Sequence, residues 1–138
     1  MASKVVDVVN FNADASCLEC DHWFKSLAGG EQSVFFSWLS LYVKHQKKVV
    51  LGIPGATLAD IAKLNSESIA IIKSNPNIFD LILRPFSHDN ALLRTRFGFE
   101  KNLEYGMKTV KKLFGFVPSY FLPPEFMLNS EQVYVLQQ

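Results

Sequence analysis

Three short runs of β-branched and large aliphatic residues constrain this chain more than anything else in it: KVVDVVNF near the N-terminus, KVVLGIP from Lys48 and IFDLILRPFSH from Ile78. Strands that are apolar on successive residues, rather than on alternate ones, are covered on both faces, as in a parallel sheet. Between these runs the hydrophobic spacing changes to about 3.6 residues and back, the pattern of alternating strands and helices. Parallel strands joined in this way take right-handed crossovers, with the helices packed outside the sheet.

The helical stretches are readable one by one. In SVFFSWLSLYVKHQ, the residues Val34, Phe35, Trp38, Leu41 and Tyr42 form one stripe. Thr57 is expected to open the next helix, with Asp60 in capping-box position and Leu58, Ile61, Ala62, Ile69 and Ile72 as its buried face. A further helix is predicted from about Phe99 to Phe114, ending at Gly115. VPSYFLPPE reads as a short fourth strand, and Asn129 with Gln132 caps a last helix. With no internal repeat or linker, residues 1–138 are read as a single domain, an α/β fold of four parallel βα units.

Composition narrows the partners. Fourteen basic and 13 acidic residues give a formal charge of +1, which offers no clustered field for nucleic acid or an anionic membrane. The opening MASKVVDVV is too short and too polar for a signal peptide or a span, so a cytoplasmic protein is expected. Lys44, His45, Lys47 and Lys48 read as a solvated helix end. Cys17 and Cys20 are too few for a disulfide scaffold, and with His22 they fall short of the four ligands that zinc usually takes.

In parallel α/β folds functional residues gather at the C-terminal ends of the strands. The four exit loops are NADASCLECDH, PGAT, RPFSHDN and LPPEF. Three of them place an acid or an imidazole just past the strand: Asp14, His88 with Asp89, and Glu125. Arg84, just inside the third strand end, is placed to hold Asp14 or Glu125 in its ionised form or to make a structural ion pair.

These residues carry a resemblance. IFDLILRPFSHDNALL, followed after a helix by LFGFVPSYFLPPEFMLNSEQVYVL, resembles the N-terminal half of the glycoside hydrolase and deacetylase superfamily, and most of all glycoside hydrolase family 57. The resemblance covers roughly residues 48–138 and implies a partial (β/α)7-type barrel, with Glu125 as nucleophile and His88 lining the sugar site. Asp80 stands where that family often has a glutamate in the third strand. FNADAS departs from the family's His-Gln-Pro type motif after the first strand. It brings Asp14 closer to the related polysaccharide deacetylases, where an Asp at that place is a catalytic base or metal ligand. A retaining glycosidase needs two carboxylates roughly 5 Å apart, and in the resembling family the second one lies near a seventh strand that this chain does not reach.

Size matters as much as motif. A closed barrel of this kind normally takes about 200 residues or more, so 138 residues hold about half of one. The chain is therefore expected to be part of a longer protein or to pair with a partner that completes the barrel; an open α/β sheet is the third outcome. The first expectation for function is a carbohydrate-active glycoside hydrolase or transglycosylase acting on an α-linked glucan, without metal or other cofactor. Glu125 and Asp14 are its catalytic candidates, and His88, Asp89, Arg84 and Trp23 its sugar contacts. The alternative is a metal-dependent deacetylase of an N-acetylated sugar, with a divalent metal such as zinc on Asp14, His88 and Glu125. Against the deacetylase motifs, SHDNALL has one histidine, with Leu92 at the place of the second, and LPP at Leu122 replaces RPP. A non-catalytic sugar-binding or assembly module is the third possibility.

Overall fold

The structure, a computed structural model, describes residues 7–13 and 21–138, with the backbone alone at residues 21–24 and 91. Three strands, β1 (Asp7–Asn10), β2 (Val49–Gly52) and β3 (Phe79–Ile82), form a parallel sheet in the order β1-β2-β3. Asp7 stands opposite Val49, and Val49 opposite Phe79. β2 lies in the middle and is covered on both faces, with Val49 and Leu51 buried, as its unbroken apolar run requires.

The helices are α1 (Asp21–Ala28), α2 (Val34–His45), α3 (Gly55–Leu64), α4 (Ser66–Ser74), α5 (Arg96–Phe114) and α6 (Ser130–Leu136). Two local sequence signals are realised as written. Gly115 ends α5 with φ 86°, in the left-handed region, and Asn129 with Gln132 forms a capping box on α6. Two others are displaced. The helix expected from Thr57 starts at Gly55 and breaks after Leu64. The break is built by Asn65, fully buried, whose Oδ1 accepts from Ser68 N at 3.1 Å and whose Nδ2 donates to Ala28 O at 2.8 Å. On α2, Phe35 and Leu39 are buried while Val34 and Leu41 face solvent, so the predicted stripe is rotated. Trp38 sits half-buried between Phe35 and Tyr42, in ring contact with both.

The expected barrel is corrected. Among the described residues there is an open three-stranded sheet, not a partial (β/α)7-type barrel of four βα units. The segment expected as a fourth strand makes a single parallel bridge, Leu83 with Phe121, in which Leu83 N donates to Tyr120 O (2.8 Å) and Leu122 N to Leu83 O (2.9 Å). Pro118, Pro123 and Pro124 carry no N–H, and proline inside a sheet removes ladder bonds. Pairing stops there. Pro124 to Phe126 form a 3-10 turn instead. Among the described residues no helix is long and apolar enough to cross a membrane.

Candidate functional site

The C-terminal ends of the three strands meet around a depression of about 300 Å³ lined by Asn12, Ala13, Pro54, Ala56, Thr57, Ser87 and His88. Each wall is fixed by a buried polar residue. Thr57, 1% exposed, donates its hydroxyl to Ala13 O at 2.7 Å and accepts from Ala13 N at 3.3 Å, which ties the end of β1 to α3. Asn102, buried on α5, accepts from Ser87 N at 2.7 Å and donates to Ser87 O at 3.2 Å, while its backbone carbonyl takes Phe86 N at 2.9 Å. Asn102 thereby holds the loop that carries His88. Gly106 lets α5 come this close, since a Cβ there would stand 2.5 Å from Arg84 O.

Arg84 is the third buried polar residue, 1% exposed and the bulkiest of the fully buried side chains. Its Nη1 donates to Pro123 O at 3.1 Å and its Nη2 to His88 Nδ1 at 2.6 Å, leaving Nε without a partner among the described residues. Burial lowers its pKa from the ordinary value, and the Glu125 carboxylate partly offsets that. His88 Nε2 lies 3.2 Å from Glu125 Oε1. Pro123, Arg84, His88 and Glu125 thus close a ring that joins the exit loop of β3 to the double-proline turn. Glu125 (φ 51°) and Phe126 (φ 56°) are both in the left-handed region, a conformation that costs a non-glycine residue about 1–3 kcal/mol.

Of the residues singled out in the sequence, the structure brings together Arg84, His88 and Glu125. Asp89 is engaged elsewhere: its carboxylate takes a short contact from Arg94 Nη2, a bond from Arg94 Nε at 2.7 Å and one from Asn102 at 3.3 Å. That pairing raises the Arg94 pKa. Asp80, on β3, is exposed and accepts from Leu81 N, away from the strand tips. Asp14, Cys17 and Cys20 lie outside the described residues; Trp23 falls on α1, where only the backbone is described. Asn102 and Thr57 were not among the sequence candidates. The spacing of Asn102 beside Phe99, Leu103 and Gly106, on the inward face of α5, is the signal that could have found it.

A second depression, of about 400 Å³, lies at the other end of β1 and is lined by Asp7, Trp38, Leu41, Tyr42, His45 and Lys47. Burial, and then the Asp7 carboxylate, raise the Tyr42 pKa there. It shares no residue with the strand-tip depression.

No family model matches the chain, and no curated protein does. Solved structures do. A family 4 carbohydrate esterase from Streptomyces lividans, in complex with acetate, is similar with a TM-score of 0.64 and 10% identity, over 96% of this chain and 57% of that one. A family 4 acetyl xylan esterase from Clostridium thermocellum, in complex with cobalt, gives 0.64 and 14%, over 96% and 54%. A CE4 family pseudoenzyme from Bacillus anthracis gives 0.60 and 14%, over 97% and 40%. The chain spans about half the length of the structures it matches, and at this identity the likeness shows the fold.

That likeness corrects four expectations. The resemblance to glycoside hydrolase family 57 does not hold, because the matching folds are carbohydrate esterases and deacetylases. Glu125 as glycosidase nucleophile, and the family 57-like enzyme class, lose their basis with it. The expectation of no cofactor is overturned as well, since a structure of this fold holds cobalt. The residues described here do not supply such a metal: no three His, Cys, Asp or Glu side chains converge among them, and His88 has both ring nitrogens engaged.

Proposed function

We propose that this chain is a carbohydrate-active module of the deacetylase and esterase type, with the strand-tip depression as the place where an acylated sugar binds. The observation that carries this is the position of a polar hollow at the C-terminal ends of the parallel strands, on a fold similar to family 4 carbohydrate esterases. Ligands in open parallel sheets bind at that edge. Asn12, Ser87 and His88 offer hydrogen-bonding groups suited to hydroxyl and acyl oxygens. Glu125 serves as a partner to His88.

A second reading is sugar binding without turnover, favoured by the two engaged nitrogens of His88 and by the likeness to a CE4 family pseudoenzyme. The two are separated by measuring acetate release from acetylated xylotriose and tri-N-acetylchitotriose with added Zn²⁺ or Co²⁺ and with chelator, alongside calorimetric binding. Metal-dependent release supports the first. Binding with no release under any condition supports the second. Absence of both binding and release would refute the carbohydrate assignment. We further propose that residues 1–138 fold as one unit and join further strands, from a longer chain or a partner, beyond the exposed edge of β1.

A further inference from the structure

We infer that Arg84 and Glu125 hold His88 as a neutral imidazole protonated on Nε2, which makes it a hydrogen-bond donor to a sugar hydroxyl or acyl oxygen and removes it from metal ligation. The donor role rests on the sugar-binding function proposed above; the protonation pattern does not.

A guanidinium carries only donors, so at 2.6 Å from Arg84 Nη2 the Nδ1 of His88 must be the acceptor. A neutral imidazole has one N–H, and it therefore sits on Nε2, where Glu125 Oε1 accepts it at 3.2 Å. Metal ligation needs a free ring lone pair. The Nδ1 lone pair is directed at Arg84, and Nε2 carries the proton.

The Arg84 side is fixed. Arg84 is 1% exposed and pinned through Nη1 to Pro123 O, and the loop bearing His88 is fastened by Asn102 at Ser87. The Nε2 side is different. Its partner Glu125 is 64% exposed, while the His88 side chain is 17% exposed and His88 lines the depression. A ligand oxygen can thus replace or share Glu125 on the same N–H. Glutamine reproduces this pattern, since its Oε1 can accept from Arg84 while its Nε2 donates, and leucine does not.

The test uses the full chain. In ¹⁵N NMR at neutral pH, the His88 signals, assigned by their loss in His88→Gln, should show Nδ1 unprotonated and Nε2 protonated, and Zn²⁺ should leave them in place. In titrations with tri-N-acetylchitotriose and acetylated xylotriose, His88→Gln should stay within about twofold of the parent, whereas His88→Leu should lose about tenfold, or ~1.4 kcal/mol. A protonated Nδ1, a shift on adding Zn²⁺, or equal losses for Gln and Leu would each overturn the inference. If the parent chain binds neither sugar, the carbohydrate assignment and the donor role fall together, and the nitrogen spectrum alone confirms or refutes the protonation pattern.

Discussion

Gly106→Ala tests whether α5 is docked on the loop after β3 as closely as the site requires. The added Cβ would lie 2.5 Å from Arg84 O, 3.1 Å from Phe86 N and 3.1 Å from Pro85 C, all backbone atoms that cannot rotate aside. Carbon contacts are most favourable near ~3.5–4.0 Å, so helix and loop must part by about 1 Å. Overpacking of this kind costs about 1–3 kcal/mol. The same movement stretches the bonds that Asn102 makes to Phe86 N and to Ser87, each contributing roughly 1 kcal/mol. Alanine returns about 1 kcal/mol in helix propensity. Destabilisation by about 2–3 kcal/mol is expected.

The internal control is Gly98→Ala, in the first turn of the same helix. Its nearest neighbour would be Thr95 Oγ1 at 3.3 Å, so the propensity gain should emerge as neutrality or up to about 1 kcal/mol of stabilisation. Urea unfolding followed by far-UV circular dichroism compares the two at unchanged slope. Gly106→Ala matching or exceeding Gly98→Ala in stability would show that the contact does not exist.

Three further outcomes follow from the same geometry. Thr57→Val removes the hydroxyl that serves both Ala13 N and Ala13 O and should cost about 2 kcal/mol by urea unfolding, as expected for buried groups left unpaired, while Thr57→Ser should recover most of it. Glu125→Gly and Glu125→Ala both delete the carboxylate, yet glycine should be the more stable by ~1 kcal/mol because only it adopts φ 51° without strain; equal melting temperatures would contradict that. Hydrogen bonds and charge from Lys101 and Lys108 bring the Glu104 pKa down from 4.5 to about 2. Its contribution is therefore complete above pH ~4.5 and is lost as the pH falls towards 2. The parent's extra acid sensitivity over Glu104→Gln should vanish in high salt, which screens so exposed a network.

How much of this was legible in the sequence depended on which force sets each element. β2 was readable because burial on both faces leaves an unbroken apolar run, β3 from an apolar run interrupted only by the exposed Asp80, and the caps of α6 and the end of α5 because capping is a local hydrogen-bond requirement. The register of the α2 stripe was not. Phe35 is buried against Phe11, with ring centroids 4.3 Å apart, a contact set by the neighbouring strand end rather than by the helix's own spacing. The fourth strand failed because the apolar character of VPSYFL suggested pairing while its flanking prolines prevent it. The glycosidase resemblance leaned on the same double proline and glutamate, a short signal that a turn can satisfy as well as a catalytic strand end.

The site shows the same division more sharply. Acids and imidazoles at strand ends are visible in a sequence because position alone suggests them, and His88 with Glu125 was singled out that way. What those groups can do is decided by a neighbour whose state sequence does not reveal. A lone arginine near a strand end reads as an ion-pair partner, whereas Arg84 is buried, makes no hydrogen bond to a carboxylate among the described residues and directs a donor at the imidazole. Burying a cation carries a desolvation cost, offset here by the nearby Glu125 carboxylate and by two hydrogen bonds, which fix the imidazole and the double-proline turn. Replacing Arg84 would therefore change the hydrogen bonding of the His88 imidazole without touching any ligand.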